Sequence, residues 1–198
     1  MRSKQLPGLP VLTLDDGVQL GKVKKVLVDP REKRVAALIV GQRGWNQQKV
    51  LPMSGVYALG SHAVTIERGD VLVAVRDAHE YEALIKEDRT RVVGSPVVTT
   101  SGELVGTVRD FEVTGTGSVE ALYIGKGSFP SFFRRAPAIP GELVVALGKD
   151  AVLVADKVIA MVEGDEPKTL DERPRPDRKP FQLFTWPKES AKSEPDKE

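Results

Sequence analysis

The chain predicts an all-β protein: two tandem small antiparallel β-barrels joined by a short interdomain helix and followed by a disordered C-terminal tail. Three observations carry that prediction. Residues 8–28 (GLPVLTLDDGVQLGKVKKVLV) are restated at 94–113 (GSPVVTTSGELVGTVRDFEV), with Pro10 answering Pro96, Thr13 Thr99, Gly17 Gly102, Gly21 Gly106, Val23 Val108 and Val28 Val113. Such self-similarity means one structural unit written twice. Each copy is a series of short β-branched and apolar runs cut by Gly, Pro and Asp at intervals of about 8 to 12 residues, as in a small barrel. The character then changes, since six of the 14 prolines fall after residue 163 amid dense charge, a composition that cannot bury a core. The organisation is therefore a first barrel at 1–76, a helical linker at 77–90, a second barrel at 91–163 and a tail at 164–198.

In chain order, residues 1–5 are a short polar lead, and residues 11–14 form a first strand ending at Asp15-Asp16-Gly17, a hairpin signal because glycine takes positive φ without penalty. Residues 20–28 form the second strand. Its apolar positions, Leu20, Val23, Val26 and Val28, break period two near Gly21. A bulge there restores the register, and Gly106 does the same in the second copy. Asp29-Pro30-Arg31-Glu32-Lys33 is the next turn, matched by Thr114-Gly115-Thr116-Gly117-Ser118. Residues 34–40, echoed by 119–125, are almost continuously apolar, as expected of a strand buried on both faces. Each copy closes with Leu51-Pro52 or Ile139-Pro140, a short segment at 56–59 or 143–147, and an alternating strand at 63–66 or 151–154. Between the copies, residues 77–87 are rich in helix formers, with Ala78, Tyr81, Leu84 and Ile85 on one face; this is a short helix expected to pack across the junction.

Composition excludes several function classes. With 29 Lys and Arg against 28 Asp and Glu, the net charge of +1 requires neither nucleic acid nor an anionic membrane as partner. Lys22, Lys24, Lys25, Arg31, Lys33 and Arg34 cluster in the first copy, but Thr107, Arg109 and Asp110 stand opposite the three lysines, so the cluster reads as a solvated strand face. The chain has no cysteine, no apolar leader and no run long enough to span a membrane, which points to a soluble cytoplasmic protein. Its two histidines, His62 and His79, are isolated and make neither a nucleophile triad nor a metal site. Gly125-Lys126-Gly127-Ser128 lacks the first glycine of a phosphate loop, Glu120 standing there instead. Asp15, Asp16 and Asp29 face only Ser101 and Thr114 in the other copy, so they read as turn caps rather than cation ligands. No catalytic, cofactor-binding or metal residues are assigned.

The copies diverge most after the third strand. The first carries Arg43 and Trp45 there, and the second carries Phe129, Phe132, Phe133, Arg134 and Arg135. Three phenylalanines beside two arginines form the kind of patch that anchors protein contacts. Two other readings stay open at this point: the aromatics cap or seal the barrels, or they insert shallowly into a membrane surface while the arginines meet lipid phosphates. In the tail, Trp186 lies in an apolar island, residues 181–187, that either docks on a folded surface or frays.

The order of a Gly-preceded strand, a DxG or SxG turn, xxGxV, a V-x-A-L-x-V/I-G strand and an L/I-P segment resembles the PRC-barrel family. It is carried here by residues 15–23 and 101–108, 35–41 and 119–125, Leu51-Pro52 and Ile139-Pro140, within about 6–75 and 92–160. That family is similar across the cytoplasmic domain of the photosynthetic reaction-centre H subunit and the C-terminal domain of a ribosome maturation factor. The resemblance implies a small barrel used as a protein-interaction module, with no fixed active site. The sequence shows neither the H subunit's membrane helix nor the maturation factor's additional RNA-processing domain, so neither specific role is carried over. The expected function is a non-catalytic adaptor contacting a protein partner through residues 41–49 and 125–137. The alternative is an RNA-processing or ribosome-assembly factor that binds RNA or a ribosomal protein through Lys22, Lys24, Lys25 and Arg34.

Overall fold

A computed structural model describes residues 1–41, 48–86, 92–125 and 137–163. The first repeat contains β1 (Pro10–Thr13), β2 (Gln19–Asp29), β3 (Arg34–Gly41), β4 (Lys49–Pro52), β5 (Ala58–Leu59), β6 (Val64–Ile66) and β7 (Val73–Ala74), followed by the short helix α1 (Glu82–Lys86). The second contains β8 (Pro96–Thr99), β9 (Leu104–Val113), β10 (Val119–Gly125), β11 (Ala138–Pro140), β12 (Val144–Leu147) and β13 (Val152–Val154), followed by α2 (Lys157–Glu163). The sheets are ordered β5-β6-β1-β2-β3-β4-β7 and β11-β10-β9-β8-β13-β12. Apart from β7, these are one topology read in opposite directions. Pairing is antiparallel except where β6 returns parallel to β1 and β13 parallel to β8, so that the last inward-packing strand of each copy closes on its first.

The duplication extends to the irregularities. Between β1 and β2 the register steps from Val11↔Gly21 to Leu12↔Gln19, and between β8 and β9 from Val97↔Gly106 to Val98↔Leu104, which places the expected bulge beside both glycines. A second bulge leaves Lys24 unpaired between Val23↔Val40 and Lys25↔Ile39; Arg109 is left in the same way between Val108↔Ile124 and Asp110↔Tyr123. A third leaves Ala36 and Glu120 unpaired on the facing strands. Each bulge adds local twist and bends its strand, which lets strands this short curl around a core.

One apolar cluster runs through both repeats, from Val11, Val23, Leu38, Leu51 and Ile66 to Val97, Val108, Leu122, Ile139 and Val154. A second sits on the outer face of β2, β3 and β4, where Leu27, Ala37, Ile39 and Val50 are covered by Ala78, Tyr81, Leu84 and Ile85. This explains the continuous apolar run of β3: its inner residues meet the barrel core and its outer ones meet the linker. The linker was expected across the junction, but its apolar face packs on the first repeat. It is α-helical only over Glu82–Lys86, with 3-10 turns at Val75–Asp77 and His79–Tyr81 before it. The reason lies in what each repeat offers, since the positions matching Leu27 and Ile39 in the second are Glu112 and Tyr123, a polar face with nothing for Leu84 and Ile85 to bury against.

That polar face receives the polar lead. Ser3 Oγ donates to Asp110 Oδ1 at 2.6 Å, the Val113 amide donates to the Met1 carbonyl at 2.8 Å, and the Arg2 guanidinium lies 3.3 Å from the Tyr123 ring centroid. Ser3 and Asp110 are both buried. The repeats also meet at their hairpin turns, where Arg34 and Ser118 form an antiparallel bridge. There the Val35 amide donates to the Gly117 carbonyl at 2.7 Å and the Val119 amide to the Lys33 carbonyl at 3.3 Å.

Candidate functional site

The contact residues expected from sequence, Arg43, Trp45, Phe129, Phe132, Phe133, Arg134, Arg135 and Trp186, lie outside the described residues, as does the tail. The structure does place the roots of the two loops. In the first repeat, β3 ends at Gly41, paired with Lys22, and β4 begins at Lys49, paired with Val40. In the second, β10 ends at Gly125, paired with Thr107, and the chain re-enters at Ala138, paired with Tyr123. These roots stand at the opposite ends of β3 and β10 from the docked turns at Arg34 and Ser118, a separation of about 20 Å at the usual rise of a strand. The barrel end that meets the other repeat is thus distinct from the end that carries the loop.

Each root carries a cation. Lys24, bulged out of β2, lies across Gly41 so closely that a Cβ there would meet its Cγ at 3.2 Å and its Cε at 3.3 Å. Arg109, bulged out of β9, lies across Gly125 in the same way, with its Cδ at 2.8 Å from such a Cβ. Glycine at both positions lets a long basic stem lie flat on the backbone where the loop departs, with the charge kept in water. The alignment of Arg109 with Lys24 was visible in sequence, but only the shared bulge shows that both lie over the glycine at the root of a loop. Around the first root Lys22, Lys24 and Lys49 are all exposed; around the second, Arg109 is exposed and Thr107 half-buried.

Several apolar side chains are exposed as well. Leu14 and Val18, in the β1–β2 turn at the loop-bearing end of the first repeat, are 52% and 47% exposed. Tyr57, at the edge beside β6, is 66% exposed, and Val145 occupies the equivalent edge position of the second repeat at 52%. Sequence periodicity missed these residues because an outward apolar side chain in a turn or at a sheet edge breaks no pattern.

The polar groups read as structural. The Tyr123 hydroxyl donates to Glu112 Oε2 at 2.7 Å, which holds the Glu112 carboxyl below its ordinary value and raises the Tyr123 phenol, both favouring the anion–phenol pair. Asp156 accepts the Ser101 amide at 2.9 Å and is held low by that bond, tying the start of α2 to the β8–β9 turn. Among the described residues no three His, Cys, Asp or Glu side chains cluster to hold a metal, and no helix is long and apolar enough to cross a membrane.

No curated protein matched the chain. The model of the PRC-barrel domain matched twice, at residues 1–75 and 86–158, and both spans begin at or before the segments that lead into β1 and β8. The chain therefore belongs to the PRC-barrel domain family and carries the domain in tandem.

Proposed function

We propose that this protein is a non-catalytic adaptor whose two barrels present residues 41–49 and 125–137 to a protein partner. The observation that supports this reading most is the placement of the loop roots: each stands on the end of its barrel opposite the docked turn, with Lys24 or Arg109 laid over the glycine where the loop leaves. A loop rooted there departs from the barrel end opposite the one that joins the repeats. Arg43 and Trp45 in the first loop, and Phe129, Phe132, Phe133, Arg134 and Arg135 in the second, supply the aromatic and arginine anchors typical of interface centres. The cations at the roots favour a partner with carboxylates around an apolar centre.

The test is capture from host lysate with the full chain as bait, alongside a variant bearing Phe132→Ser, Phe133→Ser and Arg134→Ala whose fold has been verified by circular dichroism. A protein retained by the first and lost by the second, with nuclease treatment making no difference, is the expected result. Loss of the captured material on nuclease treatment, with steep salt dependence, would favour the RNA reading instead. Equal capture by both baits would rule out the second loop as the contact.

A further inference from the structure

The bonds that join the repeats are related by the duplication itself. Arg34 and Ser118 occupy equivalent positions, as do Val35 and Val119, and Lys33 and Gly117. Exchanging the repeats converts the Val35 amide to Gly117 carbonyl bond into the Val119 amide to Lys33 carbonyl bond. Such a contact has the form of a two-fold interface in which one patch meets its own copy. The two halves are nevertheless unequal. The bond to the glycine side is 2.7 Å and the one to the lysine side 3.3 Å. Gly117 is buried at φ 89°, and a Cβ on it would stand 2.6 Å from the Val35 carbonyl oxygen and 3.2 Å from Met53 Cγ. Lys33, at φ 52°, bears a side chain whose Nζ reaches past the turn to the Val144 carbonyl at 2.9 Å, and Arg34 reaches the Thr116 carbonyl at 3.4 Å.

We propose that this turn-to-turn patch is a self-recognising surface that requires a glycine-bearing turn on at least one side. A first repeat then pairs with the second repeat of its own chain, and not with another first repeat. Two first-repeat turns would set Arg34 against its own copy with a Lys33 to either side, adding like-charge repulsion to the loss of the close approach that Gly117 permits. Two second-repeat turns meet no such obstacle, being uncharged from Thr114 to Ser118.

The test keeps the full chain and exchanges the two residues. A protease site is introduced at 87–91, the folded protein is cut, and the association of the halves is followed by sedimentation. Hydrogen exchange at Val35 and Val119 is followed in the uncut chain. Gly117→Lys, which makes both turns lysine-bearing, is expected to weaken association of the cut halves and to speed exchange at both amides by at least about tenfold. Lys33→Gly, which makes both glycine-bearing, is expected to leave the halves together. The double variant Lys33→Gly with Gly117→Lys restores one lysine against one glycine and is expected to recover most of the association. Slow exchange at the Gly8 and Gly94 amides, which bond to Val23 and Val108 inside each barrel, shows that the barrels stay folded. Failure of the double variant to recover association while those amides stay protected would overturn the proposal, as would undiminished association in Gly117→Lys.

Discussion

At the residue scale, the clearest device common to both repeats is a buried threonine that ties down the first hairpin. Thr99 is 1% exposed and its hydroxyl accepts the Glu103 amide at 3.0 Å; Thr13 accepts the Val18 amide at the same distance. Thr99→Val keeps the shape and removes the acceptor, so we expect a loss of about 1 kcal/mol in urea unfolding. Ser3→Ala acts on a buried carboxylate: among the described residues Asp110 would keep the Lys4 and Phe111 amides at Oδ1 and the distant Arg2, and the expected cost is about 1–3 kcal/mol. The pH dependence follows from Asp156 and Glu112, both held below their ordinary values in the folded chain. Their contribution is complete above the ordinary carboxylate range, about pH 4, and is lost as pH falls through that range into the lower folded values. Asp156→Asn keeps an acceptor for Ser101 but cannot titrate, so the fall of the urea midpoint between about pH 6 and about pH 3 should become shallower. An unchanged slope would mean that the Asp156 bond is lost from the folded state in solution.

At the scale of elements, α1 and the leading segment cover opposite kinds of surface. Leu84 and Ile85 seal Leu27, Ile39 and Val50 from water, so Leu84→Asp with Ile85→Asp should uncover that face. The expected result is a loss of about 2–3 kcal/mol and new protease cleavage within 82–86, read by urea unfolding and limited proteolysis. Most of the strands, the glycine turns and the bulges beside Gly21 and Gly106 were legible in sequence because each is set by residues within a few positions of one another; β7, and the strand character of the Leu51-Pro52 and Ile139-Pro140 segments, were not. The apolar face of the linker was legible too, from the spacing of Ala78, Tyr81, Leu84 and Ile85, although only Glu82–Lys86 of the expected helix is α-helical. The surface it covers was not, since that depends on Leu27 and Ala37 projecting outward from strands distant in sequence. The lead was harder still: Ser3 finds Asp110 across 107 positions, and a polar segment has no periodicity to betray its partner.

For the whole molecule, the duplication has turned one barrel into a pair that uses the same end of each copy for joining and leaves the other end for loops. The tandem arrangement was legible from sequence, and so was the divergence of the loops, because similar flanking strands isolate the part that changed. The cations at the loop roots were half-legible: Lys24 and Arg109 align in sequence, but their alignment means something only once both are seen bulged over Gly41 and Gly125. The proposed role rests on the loops meeting another molecule rather than their own barrels. The most direct measurement places a photo-cross-linking amino acid at Phe132 in the full chain, with His62 as an exposed control position, and irradiates it in host lysate. The account predicts a discrete adduct of higher mass from position 132 and none from position 62. Products confined to the chain itself would contradict it, and would make the aromatic loop a cap on its own barrel.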